Sequence, residues 1–392
     1  MRTLLLIFLL LASSLYSITL DEIINASLSK SPSLEAIQAR VQANRQNINA
    51  SSQFSNPQLL LSTNTLDNSQ AMSQTLLTLK QKIAYYGKRD SNQKMALTQE
   101  KVLQQKLQNA KVLLVGQIKN EAYSIWELQE LYKIIEEYIK LTRRNIELYE
   151  SYATISENQH MGIMQAELSL SELKIQKNSL KREIYSAYSR LSYLSAVNVE
   201  NLEITLLLDK KPKLSDLKNI TNANPDILLK ERELQEQNAK LEIATLNNYP
   251  DINLIAGYSY RKNFDDFLNL GVGLSLPIYS TEEYKEEEQR ALLLSSKSQK
   301  EDIKMSVDSR VKIYYAQMLS SYEIYHIIHD ETLPKLSHMF ELANSSISTG
   351  GDLFKYINVL FSKLKLEQKS INSVANYKRA QAQISQLAGE IK

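Results

Sequence analysis

Two hydrophobic periods alternate along this chain, and the alternation occurs twice. From Leu103, apolar residues recur at Leu107, Ala110, Leu114, Ile118, Ala122, Ile125, Leu128, Tyr132, Ile135 and Ile139. These steps of three and four predict one amphipathic helix from about Asp90 to about Ser151, about 90 Å long at the helical rise. After a polar break at Ser156-Glu157-Asn158-Gln159 and Gly162, a second stripe passes through Ala166, Leu173, Leu180, Ile184, Ala187, Leu191 and Leu194. Its heptad-like steps predict coiled-coil packing against the preceding helix. The second half repeats the scheme, with a helix from about Glu282 toward Asn344, a break at Ser348-Thr349-Gly350-Gly351, and a stripe at Leu360, Leu364, Ile371, Val374, Ile384 and Leu387. Pro334 lies inside the first of these helices and predicts a kink or short break.

Ahead of each helix pair the period drops to two. Ile252, Leu254, Ala256, Tyr258 and Tyr260 alternate with Asn253, Ile255, Gly257, Ser259 and Arg261. Beyond Lys262 to Asp266, Leu268, Leu270, Val272, Leu274 and Leu276 alternate with Asn269, Gly271, Gly273 and Ser275. The first half holds a weaker counterpart, with Leu59, Leu61, Thr63 and Thr65, a turn near Asp67-Asn68-Ser69, and Leu77, Leu79 and Ile83 set against Thr78, Lys80 and Lys82. Segments of about ten residues with one apolar and one small, polar face match transmembrane β-barrel strands, and also fit hairpins half-exposed on a soluble core. Inserted in a membrane, four strands could not close a barrel, and open edges are not tolerated in hydrocarbon. Three copies would supply twelve strands and an aqueous lumen.

Prolines mark the same repeat. Ser31-Pro32 and Asn224-Pro225 open short helices, Asn56-Pro57 and Tyr249-Pro250 close them, and the two sets are 193 positions apart (225 − 32 and 250 − 57). The expected organisation is a signal peptide over residues 1–17, a first repeat over 18–200, a connection over 201–223 and a second repeat over 224–392. Arg2, the apolar run Leu4 to Leu11 and the small residues ending at Ser17 carry the signal-peptide reading, the run being too short to span a bilayer.

Composition narrows the function. The 46 basic and 44 acidic residues nearly cancel, which argues against a nucleic-acid binder. With no cysteine the chain has no disulfide, no thiolate metal site and no lipid-attachment cysteine. His326 and His329, followed by Asp330 and Glu331, do not complete a zinc site, and Gly271-Val272-Gly273 lies within a strand pattern rather than a phosphate loop. No catalytic constellation, cofactor motif or metal site is read, and the chain is expected not to be an enzyme.

The ordered set of helix starts and strand starts resembles the TolC-like outer-membrane efflux protein family over essentially the whole mature chain. So do Gln81-Lys82-Ile83 with Tyr86-Gly87-Lys88-Arg89, Leu333-Pro334, Gln165-Ala166-Glu167-Leu168-Ser169-Leu170, and Gly350-Gly351-Asp352-Leu353 leading to Ile357-Asn358-Val359-Leu360. The resemblance implies a mainly α fold with β. Each protomer would be an elongated two-repeat body of long coiled-coil helices and four strands, within a homotrimer that forms a 12-stranded transmembrane barrel and an α-helical barrel. It further implies outer-membrane location with extension into the periplasm, a periplasmic adaptor and an inner-membrane pump as partners, and a passive exit duct gated at its helical tips.

On that reading Asp352, Lys355 and Asn358 are the candidate aperture. Gly162, Gln165, Ala166, Glu167, Gly350 and Gly351 are candidate adaptor-contact tips, and Asn253, Ser259, Asn269, Gly271, Gly273 and Ser275 are the candidate barrel lumen. Acidic rings narrow the aperture in some family members; here those positions fall on Lys355 and Asn358, with Asp352 nearby. The alternative is a soluble periplasmic coiled-coil adaptor or scaffold whose hairpins pack in a small β-domain.

Overall fold

The computed structural model describes residues 18–65, 70, 72–152, 157–208, 210–217, 220–347 and 353–391. The expected signal peptide, the turn near Asp67-Asn68-Ser69, and Gly350, Gly351 and Asp352 lie outside the described residues. The order of elements is β1 (Ile18–Thr19), α1 (Leu20–Lys30), α2 (Pro32–Ser51), β2 (Gln58–Thr63), β3 (Gln74–Ile83), α3 (Lys88–Tyr152), α4 (Glu157–Ser195), β4 (Leu202–Glu203), α5 (Ile220–Ala223), α6 (Pro225–Asn247), β5 (Asp251–Arg261), β6 (Phe267–Ser275), α7 (Thr281–His326), α8 (Leu333–Ile347) and α9 (Leu353–Leu387). Helix, hairpin, long helix and further helix thus occur twice in succession. Among the described residues no helix is long and apolar enough to cross a membrane.

The helices begin where the backbone chemistry favours a start. Pro32 and Pro225 are the first residues of α2 and α6, where proline's missing N–H costs nothing and its fixed φ suits the first turn. Both helices stop at Ser51 and Asn247, short of the prolines at 57 and 250. At 65 residues, α3 carries the long stripe, with Leu114, Ile118, Ala122, Ile125, Ile135 and Ile139 buried along it. The expected break near Pro334 takes the form of a π-turn over Ile327–Thr332. Proline offers no N–H to the carbonyl four residues back and crowds it, so the helix widens. The Leu333 N–H accordingly reaches back five residues to the Ile328 carbonyl, and the Thr332 hydroxyl donates to the Ile327 carbonyl at 3.1 Å.

The chain divides into two compact units, each drawing segments from both halves. One holds the described residues from 18 to 35 together with those within 110–224 and 306–392. Within it α3, α4, α8 and α9 bury a core of Ile135, Tyr138, Ile146, Tyr149, Ala166, Leu173, Leu353, Tyr356, Ile357 and Leu360, among others. Gly116 lets α3 and α9 approach closely: a Cβ there would lie 2.4 Å from Gln386 Oε1. The Asn224 side chain, ahead of α6, is buried and donates to the Leu387 carbonyl at 2.8 Å.

The second unit covers 36–109 and 225–305 and contains the main sheet. Its strand order is β2-β3-β5-β6, every neighbouring pair antiparallel, so the two hairpins abut along β3 and β5. Asn44 of α2 donates to the Ala96 carbonyl of α3 at 2.9 Å, and Gln237 of α6 to Gln289 of α7 at 2.8 Å, so each hydrogen bond joins the two helices that flank one hairpin in sequence.

Candidate channel-forming sheet and helical tip

Register fixes what each face of the sheet carries, because directly paired antiparallel residues project to the same side. One row joins Leu59, Leu79, Ala256 and Leu270, and the next rows on that face hold Leu61, Leu77, Tyr258 and Leu268, and Gln81, Leu254 and Val272. No charged residue stands on this face within the four strands. Its side chains are open to the surroundings: Leu61 is 72% exposed, Leu270 86% and Val272 71%.

The opposite face joins Lys82, Asn253 and Gly273 in one row, Gln58, Lys80, Ile255 and Gly271 in the next, and Leu60, Thr78, Gly257 and Asn269 in a third. Ser259, paired with Leu76 and Phe267, and Ser275, paired with Asp251, lie on it too. All six candidate lumen residues, Asn253, Ser259, Asn269, Gly271, Gly273 and Ser275, therefore share one face.

The sheet is anchored to the helix that follows β3 by one carboxylate. Asp251 Oδ1 accepts from the Tyr85 backbone N–H at 3.0 Å and from Lys88 Nζ at 2.8 Å, while Oδ2 pairs with Lys82 at 3.0 Å. Lys88 also donates to the Tyr249 carbonyl, and the Tyr85 and Tyr249 rings stack with centroids 4.6 Å apart. Gly87 makes the turn into α3 with φ of +85°, a left-handed conformation that a Cβ disfavours. Tyr86-Gly87-Lys88-Arg89 leads into α3, as the family resemblance implies, whereas nothing in the sequence singles out Asp251. Its partners on β3 and α3 are more than 160 positions away in sequence, and only the strand pairing reveals them.

In the other unit, the tip residues within the described chain separate into buried and exposed sets. Gly162 and Ala166 are buried, and Gln165 and Glu167 are exposed. A Cβ on Gly162 would meet Leu353 Cβ at 3.6 Å, so α4 lies directly against the start of α9. Lys355 and Asn358 are exposed on the first turns of α9.

Between them in sequence, Tyr356 points inward and is fully buried. Its hydroxyl accepts from Asn145 Nδ2 at 2.7 Å, and the same amide also donates to the Leu141 carbonyl at 2.8 Å. Burial pushes the Tyr356 phenol up to about 12. The Phe340 ring lies 5.5 Å from that of Tyr356, with Lys363 Nζ 5.0 Å above Phe340. Farther along, the Tyr138 hydroxyl donates to Glu367 at 2.8 Å, and burial together with that carboxylate raises its ionisation well above the usual tyrosine range. Asn145 lies beyond Ile139, the last position of the stripe read along α3, and nothing in the sequence singles out either it or its partner on α9.

Where α7 passes into the π-turn, His326 Nδ1 and His329 Nδ1 meet the two oxygens of Asp330 at 2.7 and 3.1 Å. Hydrogen bonding from both imidazoles holds the Asp330 carboxyl below its usual value. Among the described residues no group of three His, Cys, Asp or Glu side chains is placed to hold a metal ion.

A single all-antiparallel four-stranded sheet built from two hairpins, one from each half of the chain, with long helices following each hairpin in sequence, is the TolC-like fold of outer-membrane efflux channels. The chain is similar to the open-state outer-membrane channel MtrE of Neisseria gonorrhoeae, with a TM-score of 0.80 and 15% identity over 94% of this chain and 88% of that one. It is similar to the Campylobacter jejuni outer-membrane channel CmeC, with a TM-score of 0.79 and 12% identity over 94% and 85%. The Vibrio cholerae outer-membrane protein VceC aligns with a TM-score of 0.79 and 14% identity over 94% and 96%. No protein-family model and no curated protein matches the sequence, so the likeness is one of fold.

Proposed function

We propose that this protein is the outer-membrane channel component of an efflux or secretion assembly, a passive duct formed by three copies of the chain. The observation that carries this reading is the sheet. Its apolar face has no charge and is exposed, as a lipid-facing surface requires, while its other face carries glycine, serine, asparagine and all four charged residues of the strands, with Leu60, Leu76, Ile255 and Phe267 among them. β2 and β6 are free edges that run in opposite directions. Laying β6 of one copy against β2 of the next continues the antiparallel pattern, so a ring of copies closes without an edge. Three copies give twelve strands, beyond the roughly eight whose interior side chains alone would fill.

The duct is gated at the helical tip, where Lys355 and Asn358 are candidate aperture residues and the buried Asn145–Tyr356 hydrogen bond holds α9 against α3. Asp352 belongs to the same proposed aperture. The partners on this reading are a periplasmic adaptor, which would contact Gln165, Glu167 and the neighbouring tip residues, and an inner-membrane pump that supplies the work. The solved channels of the same fold support the reading, MtrE by its description as the open state of an outer-membrane channel and CmeC as an outer-membrane channel. A soluble scaffold would have to cover the apolar sheet face, and no described element of the chain does so.

The test is the native mass of protein extracted from outer-membrane fractions, followed by planar-bilayer recording. Detergent-dependent trimers that conduct are the expected result. A monodisperse, water-soluble monomer would overturn the proposal.

A further inference from the structure

We propose that Lys80 makes the barrel interior electropositive, so that the duct favours anionic solutes over cationic ones of equal size. The inference rests on the trimeric-duct reading and deepens it by assigning the charge class of what passes.

The four strands carry four charged residues, Lys80, Lys82, Asp251 and Arg261, and register places all four on the same face. The only carboxylate among them, Asp251, is already held by Lys82, Lys88 and the Tyr85 N–H. Arg261 is occupied at the hairpin loop, donating to the Asp265 carbonyl and lying over the rings of Phe264 and Phe267. Lys80 is exposed and has no ion pair among the described residues.

The neighbours of Lys80 in its row are Gln58, Ile255 and Gly271. None is acidic, and Gly271 with Gly257 and Gly273 keeps the surface in front of the lysine low. In a closed ring each copy would contribute one such ammonium, and low-dielectric walls focus the field of like charges lining an aqueous passage.

The chain contains no cysteine, so Thr78→Cys introduces a single thiol per copy. Thr78 stands on the same face two residues from Lys80, about 7 Å along the strand and within a Debye length at about 0.1 M salt. Trimers carrying Thr78→Cys are reconstituted in planar bilayers and treated with 2-sulfonatoethyl methanethiosulfonate or with its trimethylammonioethyl counterpart. Rates of conductance change are normalised to those of a free thiol. Comparing the two reagents cancels the effect of Lys80 on thiolate formation.

The expected result is faster labelling by the anionic reagent, with the anionic-to-cationic ratio falling on the order of tenfold when Lys80→Glu is added and by less with Lys80→Gln. If Lys80→Glu does not assemble, Lys80→Gln alone carries the comparison. Conducting trimers whose ratio is unchanged by either substitution would overturn the electropositive interior while leaving the duct intact. Absence of conducting trimers in the Thr78→Cys protein and in the unaltered chain would overturn the duct, and the inference with it.

Discussion

Tyr356 shows how one buried hydroxyl couples the tip to solution conditions. Its phenol stays neutral in the folded protein to about 12, whereas in the unfolded chain it ionises near 10.0. The stability this difference contributes is fully present below pH 10 and is lost as pH rises from there to about 12. The loss amounts to about 2 to 3 kcal/mol at the upper end. Thermal unfolding in detergent between pH 9 and 12, scales set by those same two ionisations, should therefore steepen for the unaltered protein relative to Tyr356→Phe. Parallel curves would remove Tyr356 from the account. At neutral pH the same substitution, or Asn145→Ala, breaks the hydrogen bond linking α3 to α9. The expected cost is about 1 to 2 kcal/mol. Because the proposed gate is held by that bond, single-channel records should show a higher open fraction in both variants, and an unchanged open fraction would place the gate elsewhere.

At the scale of elements, the approach of α3 to α9 at Gly116 sets a size limit. Gln386 is flexible, so Gly116→Ala displaces only the end of a side chain and regains helix propensity of up to about 1 kcal/mol. Gly116→Leu must push α9 away and should destabilise by about 1 to 3 kcal/mol, read as a shift of the unfolding midpoint. Equal midpoints for the two variants would show that the helices are not close-packed there.

Element starts and faces were legible because they depend on local chemistry. Pro32 and Pro225 start their helices, the stripe from Leu114 to Ile139 is buried, and the alternation from Ile252 to Tyr260 became a strand with its register intact. Helix ends were less so, since α2 stops at Ser51 with no glycine or proline there and Pro57 still ahead. The break at Pro334 was visible as a break, but its π-turn geometry depends on where Leu333 and Thr332 find carbonyls. Contacts such as Asp251 with Lys88 and Asn145 with Tyr356 join residues of different halves. They need the pairing of β3 with β5 and of α3 with α9, which periodicity within a single segment does not encode.

For the whole molecule, the two faces of the sheet should answer differently to the same charge. Val272→Arg puts a cation on the proposed lipid face, at an expected cost of about 2 to 4 kcal/mol per copy near the bilayer midplane. Asn269→Arg adds the same group to the polar face, where water is expected to solvate it. Val272→Arg should then leave little trimer in outer-membrane fractions while Asn269→Arg assembles, as judged by heat-modifiable migration on gels. Equal assembly of the two would reverse or abolish the assignment of faces.

The free edges at β2 and β6 also carry a genetic consequence. In the proposed trimer, a ring closed edge to edge would be only as sound as its worst member, because each copy would lend one edge to each neighbour. A chain with proline in β2, such as Leu60→Pro, would still offer a normal β6 and could be recruited before the ring fails. Expressed equally beside the unaltered gene, it should leave roughly one ring in eight free of a defective member under random threefold mixing. Such an allele would behave as dominant, poisoning its own wild-type siblings.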